Sequence, residues 1–177
     1  MNRVGEFEKV SFEQFRADIL GENVNNVMDS ETVESNIQEM YNSIRLPQRA
    51  TSGSAGYDFF APFGFLLEPG ETVKIPTGIR VLIDDGWWLG CFPRSGLGFK
   101  YRMQLNNTVG VIDEDYAQSD NEGHIFAKIT NDSKTGAILR VDAGEAFMQG
   151  IFIPFGITYS DNATGIRNGG FGSTDSK

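Results

Sequence analysis

The sequence predicts an all-β fold, a barrel or double-sheet sandwich of short strands, and three observations carry that expectation. Beyond residue 45 the apolar residues fall in runs of about four to eight separated by Gly, Pro, Asn and Asp, with no helical stretches between them. Thr77–Ile83 (TGIRVLI) alternates, with Ile79, Val81 and Ile83 on one face. The 177 residues include 21 glycines with no G-x-y period, against a usual share of about 7%, which implies many tight turns. WWLGCF, HIFAKIT, ILRV and MQGIFIPF are the further strand candidates, and Glu68-Pro69-Gly70 and Asp84-Asp85-Gly86 are turn chemistry. No internal repeat is present.

The two ends read differently. In residues 1–45, Ser11 followed by Gln14 fits a capping box, and Phe12, Phe15 and Ile19 then recur at helical spacing. A second stripe runs through Val33, Ile37, Tyr41 and Ile44, with a loop, GENVNNVMD, between the two. This segment is expected to be a short helical extension whose stripes pack on the body, with a separate interaction module as the other reading. Residues 46–159 form the β core. Residues 160–177 lose apolar periodicity and read as a glycine-rich, flexible C-terminal arm.

Composition narrows the functional classes. The net charge of −9 repels nucleic-acid phosphates and anionic lipid, and no Lys/Arg run offsets it. No apolar run approaches the length of a membrane span, and the N-terminus lacks an apolar signal core. One cysteine, Cys91, and one histidine, His124, exclude an internal disulfide and a multi-Cys/His metal site, and disfavour a Ser-His-Asp triad. A cytoplasmic setting is expected.

Five segments carry chemistry: Ala55-Gly56-Tyr57-Asp58, Pro93-Arg94-Ser95-Gly96-Leu97-Gly98, Gly110-Val111-Ile112-Asp113-Glu114-Asp115-Tyr116, Gly144-Glu145-Ala146-Phe147-Met148-Gln149, and Arg167-Asn168-Gly169-Gly170-Phe171-Gly172-Ser173-Thr174. Arg94, Ser95 and Gly96 set a guanidinium, a hydroxyl and an accessible backbone N–H side by side, which suits polyphosphate oxygens; a strand-ending turn is the plainer alternative. Asp113 follows a short apolar run in which Val111 and Ile112 are expected to anchor the backbone, so that its carboxylate can orient and deprotonate a water. Asp115 shares its face if the strand continues. Phe171 offers a face to a planar base, between glycines that permit close backbone approach.

In this order and over residues 46–177, the five segments resemble the motifs of the trimeric dUTP pyrophosphatases (dUTPases). The resemblance implies a distorted jelly-roll barrel, a homotrimer with shared active sites, and Mg²⁺-dependent hydrolysis of dUTP to dUMP and pyrophosphate. That reaction keeps uracil out of DNA and supplies dUMP for thymidylate synthesis. It implies that Asp113 activates the attacking water, and that Tyr116 packs beneath the sugar, leaving no room for a 2′-hydroxyl. Arg94, Ser95 and Gly96 would grip phosphates; Asn107, with the backbone through Val111 and Ile112, would read uracil; Phe126 would line the substrate site, and Gln149 would hydrogen-bond a phosphate or the surroundings of the α-phosphate. Asp58 would support the water and metal region, Arg167 the phosphate charge, and Phe171, Gly172, Ser173 and Thr174 would close over the ligand. Mg²⁺ would be held mainly by the triphosphate, with no dedicated protein cage.

Three departures stand out: Ala146 where the family commonly has arginine, one residue fewer between Arg167 and Phe171, and AQSDNEG inserted after Tyr116. A dCTP deaminase of the same fold is the alternative enzyme, though no glutamate here matches its water-activating residue. A nucleotide-switched regulatory binding protein is the alternative from another class.

Overall fold

The computed structural model describes residues 2–23 and 30–167. Its central sheet has five antiparallel strands in the order β2 (Gln48–Arg49), β3 (Tyr57–Phe60), β12 (Ala146–Pro154), β7 (Trp87–Pro93) and β9 (Gly110–Ile112). Facing it are a three-stranded sheet, β5 (Thr72–Pro76), β10 (Phe126–Asn131) and β8 (Met103–Leu105), and the pair β4 (Phe65–Leu67) with β11 (Leu139–Val141). The sheets enclose one apolar core that includes Phe59, Ile75, Leu89, Ile129, Leu139 and Phe147, in a distorted jelly-roll barrel. Every predicted strand segment contains a strand. HIFAKIT begins pairing only at Phe126, however, leaving His124 buried ahead of the strand.

The longest pairing, β12 with β7, runs in register from Met148 opposite Pro93 to Pro154 opposite Trp87. On its other side β12 sets Gln149 opposite Asp58, after an irregularity between Ala146 and Met148. This one strand thus aligns three of the five chemistry-bearing segments.

The first 45 residues are not helical throughout. Gly5–Lys9 forms β1, antiparallel to β6 (Ile79–Ile83), with Phe7 facing the core and opposite Val81. Helices α1 (Phe12–Asn23) and α2 (Ser30–Ser43) follow. Of the predicted stripes, Phe15, Ile19, Ile37 and Ile44 are buried in the common core, and Phe12, Val33 and Tyr41 pack against it partly buried. Ser11 caps α1, its Oγ accepting from Gln14 N at 3.1 Å, but Gln14 does not close the box. Its side chain turns to Asp18 (2.8 Å), and Glu122 instead accepts from both Ser11 N (2.7 Å) and Ser11 Oγ (2.6 Å). A partner 111 residues away therefore completes the cap.

One helix was not anticipated. PRSGLG leads from β7 directly into α3 (Ser95–Tyr101), with Arg94 extended at its N-cap and Arg102 left-handed at its C-cap. Its two glycines conceal it from propensity-based reading.

Candidate active site

A cavity of about 460 Å³ opens between the central and facing sheets, lined among others by Asn107, Gly110, Ile112, Asn121 and Phe126. Asn107 lies in the tight turn joining β8 to β9, where Thr108 N donates to Leu105 O at 2.8 Å and Thr108 adopts a positive φ of 66°. Phe126 closes the opposite wall, with Lys74 Nζ 4.5 Å above its ring. Cys91 also lines the cavity; burial pushes its thiol up to about 12, so it presents a neutral wall.

The expectation that Val111 and Ile112 both anchor the catalytic segment is corrected by the pleat. Ile112 is 2% exposed opposite Leu89, whereas Val111 is 53% exposed and lines no part of the cavity wall described above. Successive strand residues face opposite sides, so only one of the pair can be buried. Nor does the strand continue to Asp115. It ends at Ile112, Asp113 stands extended at the N-terminal boundary of a 3₁₀ turn over Glu114–Gln118, and Glu114 Oε2 fixes that turn by accepting from Gly86 N at 2.7 Å. Asp113 and Asp115 still converge, because Arg167 bridges them: its Nε donates to Asp115 Oδ1 at 2.8 Å and its Nη2 to Asp113 Oδ2. The guanidinium carbon lies 5.6 Å from the Tyr116 ring centroid.

Tyr116 is buried within the 3₁₀ turn. Its hydroxyl donates to His124 O (3.0 Å) and accepts from Asn121 Nδ2 (3.1 Å), and burial raises its pKa.

A second recess, about 470 Å³, is lined by Arg94, Ser95, Gly96, Lys100, Arg140 and Ala146, among others. Arg94 is aimed by Asp58 (Nε to Oδ1, 3.1 Å) and by the Ala146 carbonyl (from Nη1, 3.3 Å). The first-turn N–H groups of α3 have no intrahelical acceptors, which suits an anion. Gln149 Nε2 donates to Pro93 O at 3.2 Å, holding the residue before Arg94. Gly56 leaves room for this side chain, since a Cβ there would meet Gln149 Oε1 and displace it from Pro93. The two recesses share no lining residue.

The insertion after Tyr116 folds into a closed loop. Gly123 has φ +73°, and a Cβ there would lie 2.6 Å from Ala117 Cα, so both conformation and space demand glycine. His124 Nε2 accepts from Gly78 N (2.7 Å), which leaves the ring proton on Nδ1, 2.5 Å from Asp18 Oδ2. Asn121, His124, Lys74 and Asp18 escaped the sequence reading. The only local signal for the group was the polar Asn121-Glu122-Gly123 turn before a lone histidine.

Burial disfavours the charged forms of Asp18 and Glu122, but hydrogen bonds outweigh it: from His124 and Gln14 to Asp18, and from Ser11 to Glu122. Both carboxyls are therefore held below their ordinary values. Their stabilisation is complete above the unfolded values, near about 4, and is lost as pH falls through the lower folded values. Melting temperature is expected to drop from pH 5 towards pH 2, with a shallower drop in the Asp18→Asn/Glu122→Gln double variant. Parallel curves would contradict this.

Phe171, Gly172, Ser173 and Thr174 lie outside the described residues. Among the described residues, no group of three or more His, Cys, Asp or Glu side chains is placed to hold a metal, and no helix is long and apolar enough to cross a membrane.

A jelly-roll barrel with an aspartate directly after a strand that lines a ligand-sized cavity, and with an arginine-serine-glycine recess, has the features of a hydrolase acting on a phosphoanhydride. The family model for dUTPase matches residues 42–175. The deoxyuridine 5′-triphosphate nucleotidohydrolase of Lactococcus lactis subsp. lactis (strain IL1403) is 40% identical over 134 residues, covering 74% of this chain and 88% of its own. That of Mannheimia succiniciproducens is 39% identical over 139 residues, covering 74% and 87%. The crystal structure of dUTPase from Streptococcus mutans superposes with a TM-score of 0.57 at 38% identity, covering 66% of this chain and 90% of that one. A mutant dUTPase from phage phi11 of S. aureus, with a coordinated structural Mg(II) ion, shares the fold at 21% identity and TM-score 0.56, covering 68% and 90%. The chain belongs to the dUTPase family, whose reaction is the hydrolysis of dUTP.

Proposed function

We propose that this chain hydrolyses dUTP to dUMP and pyrophosphate by attack of an Asp113-activated water on the α-phosphorus. The observation that carries this reading is the position of Asp113, directly after the strand whose Gly110 and Ile112 line the cavity. Arg167 is ion-paired with both Asp113 and Asp115, one positive charge shared between two carboxylates. A bound triphosphate carries more negative charge than either carboxylate and draws the guanidinium away. Asp113 is then free to take a proton from water, while Arg167 meets the charge developing on the phosphates. Uracil sits in the cavity against Asn107, and the sugar packs on Tyr116 near Phe126. Gln149 acts by holding Pro93, and so Arg94, in place; this differs from the direct phosphate contact expected from the sequence.

The hard-oxygen character of Asp58, with no thiolate or imidazole in the phosphate recess, fits Mg²⁺ held mainly by substrate oxygens and waters. When bound, the ion offsets triphosphate charge; Asp58 would meet its water shell.

Because the Arg94 recess and the Asn107 cavity have separate linings within one chain, a nucleotide engaging both is best served by neighbouring copies. Phe99 (93% exposed), Ile157 and Ile166 supply apolar surface for such contacts. We assign a homotrimer, with a mass near three times 19.5 kDa in light scattering. In the cell, the reaction would keep uracil out of DNA and yield dUMP.

The decisive test is pyrophosphate release with Mg²⁺ across the common ribo- and deoxyribonucleoside triphosphates. Turnover of dUTP far above all others supports the reading. Ammonia release from dCTP, or no turnover of dUTP, would overturn it.

A further inference from the structure

We propose that the N-terminal helix α1 is a specificity element: through Asp18 and Ser11 it holds the 117–124 loop, and thereby sets Tyr116 and Phe126 as the walls that select deoxyribose. The inference rests on the sugar-packing role assigned to Tyr116 above.

The chain of contacts is continuous. Asp18 grips the His124 ring at Nδ1 (2.5 Å), Gly78 N holds its other nitrogen, and Phe15 packs against the ring at 6.2 Å between centroids. On its far side the same ring lies 4.7 Å from the Phe126 ring, which lines the cavity. The His124 carbonyl accepts the Tyr116 hydroxyl, so one fully buried residue contacts both Phe126, which lines the cavity, and Tyr116, which packs behind it. Ser11 ties down the same loop two residues earlier, by the two hydrogen bonds to Glu122. The loop is also held by Asn121 on the Tyr116 hydroxyl and by Arg80 Nη2 on the Ala117 carbonyl (3.1 Å). Neither Asp18 nor Ser11 lines the cavity, so both are positioning residues.

A clash that excludes a 2′-hydroxyl depends on placement to within a fraction of an ångström, because packed walls transmit small shifts. Freeing the His124 ring lets Tyr116 and Phe126 relax, and the ribonucleotide gains more than the deoxyribonucleotide. Loss of folded protein lowers turnover of both substrates equally; only a moved sugar wall changes their ratio.

The test compares kcat/KM for dUTP and UTP in wild type, Asp18→Ala, Asp18→Asn and Glu122→Ala, on full-length protein with Mg²⁺. Asp18→Ala is expected to lower the dUTP/UTP preference about tenfold, with kcat for dUTP within about threefold of wild type, since near-attack geometry is sensitive to such shifts. Asp18→Asn keeps an acceptor for Nδ1–H and is expected to retain the preference. Glu122→Ala is expected to give a smaller loss in the same direction. An unchanged preference in folded Asp18→Ala overturns the inference. If that variant yields no cooperative thermal melt, an unchanged preference in Glu122→Ala, a partly buried site whose loss leaves the Asp18–His124 contact in place, overturns it. Wild-type protein that turns over no dUTP refutes the proposed function itself. Wild type that uses dUTP and UTP alike refutes the sugar role of Tyr116, and this inference with it.

Discussion

Asp113→Asn is expected to lower kcat for dUTP by about 10³-fold, within the range for loss of a general base, while nucleotide affinity stays within a few-fold of wild type. The amide keeps the shape of the carboxylate but cannot accept the water's proton at the neutral pH of the reaction. The backbone is held independently: Ile112 remains buried opposite Leu89, and Glu114 still accepts Gly86 N. Arg167 keeps its bond to Asp115 Oδ1, so the start of the C-terminal arm keeps an anchor, and loss of the base is separated from misplacement of the arm. Single-turnover kinetics and calorimetric titration with a non-hydrolysable dUTP analogue measure the two quantities. A residual kcat within tenfold of wild type would transfer the base role elsewhere, with Asp115 the nearest carboxylate on the same guanidinium.

The parts of this architecture legible in the sequence were those governed by local periodicity. Ile79, Val81 and the apolar runs at 87–92 and 148–155 announce strands because alternate or continuous burial is written into residue order. The stripes of α1 and α2 are visible for the same reason. What escaped depended on partners distant in sequence. β1 is five residues, three of them charged, and becomes a strand only because β6 offers it an edge. Glu122 replaces Gln14 in the α1 cap across 111 positions, which no local motif encodes. His124 appeared as an isolated residue, and its importance emerges only when Asp18, Gly78, Tyr116 and Phe126 surround it. In the site, the family motifs named Arg94, Asp113 and Tyr116, but they gave no hint that Gln149 supports Pro93 or that Val111 points outward. Those outcomes follow from register and pleat.

Phe15→Ala is expected to destabilise the fold by about 3–5 kcal/mol, the cost of emptying a fully buried aromatic site. Phe15 has no exposed surface, and its ring meets those of Tyr41 on α2 (5.8 Å) and His124 (6.2 Å). It therefore joins both N-terminal helices to the barrel at one point. The cavity left behind cannot collapse easily: Tyr41 is tied by its hydroxyl to Val10 O (2.8 Å), and His124 is held at both ring nitrogens. For a chain of this length each kcal/mol moves the melting temperature by about 2–4 °C, so the drop is expected to be roughly 6–20 °C at fixed protein concentration. Glu13→Ala, two residues earlier on the exposed face of α1, is the control and should change stability by no more than about 0.5 kcal/mol. A loss below about 1 kcal/mol for Phe15→Ala would mean that residues 1–45 sit on the barrel as a detachable appendage. A loss in the expected range, in a single cooperative transition, makes the N-terminal segment part of the same folding unit as the site it borders, since an independently melting appendage would give two.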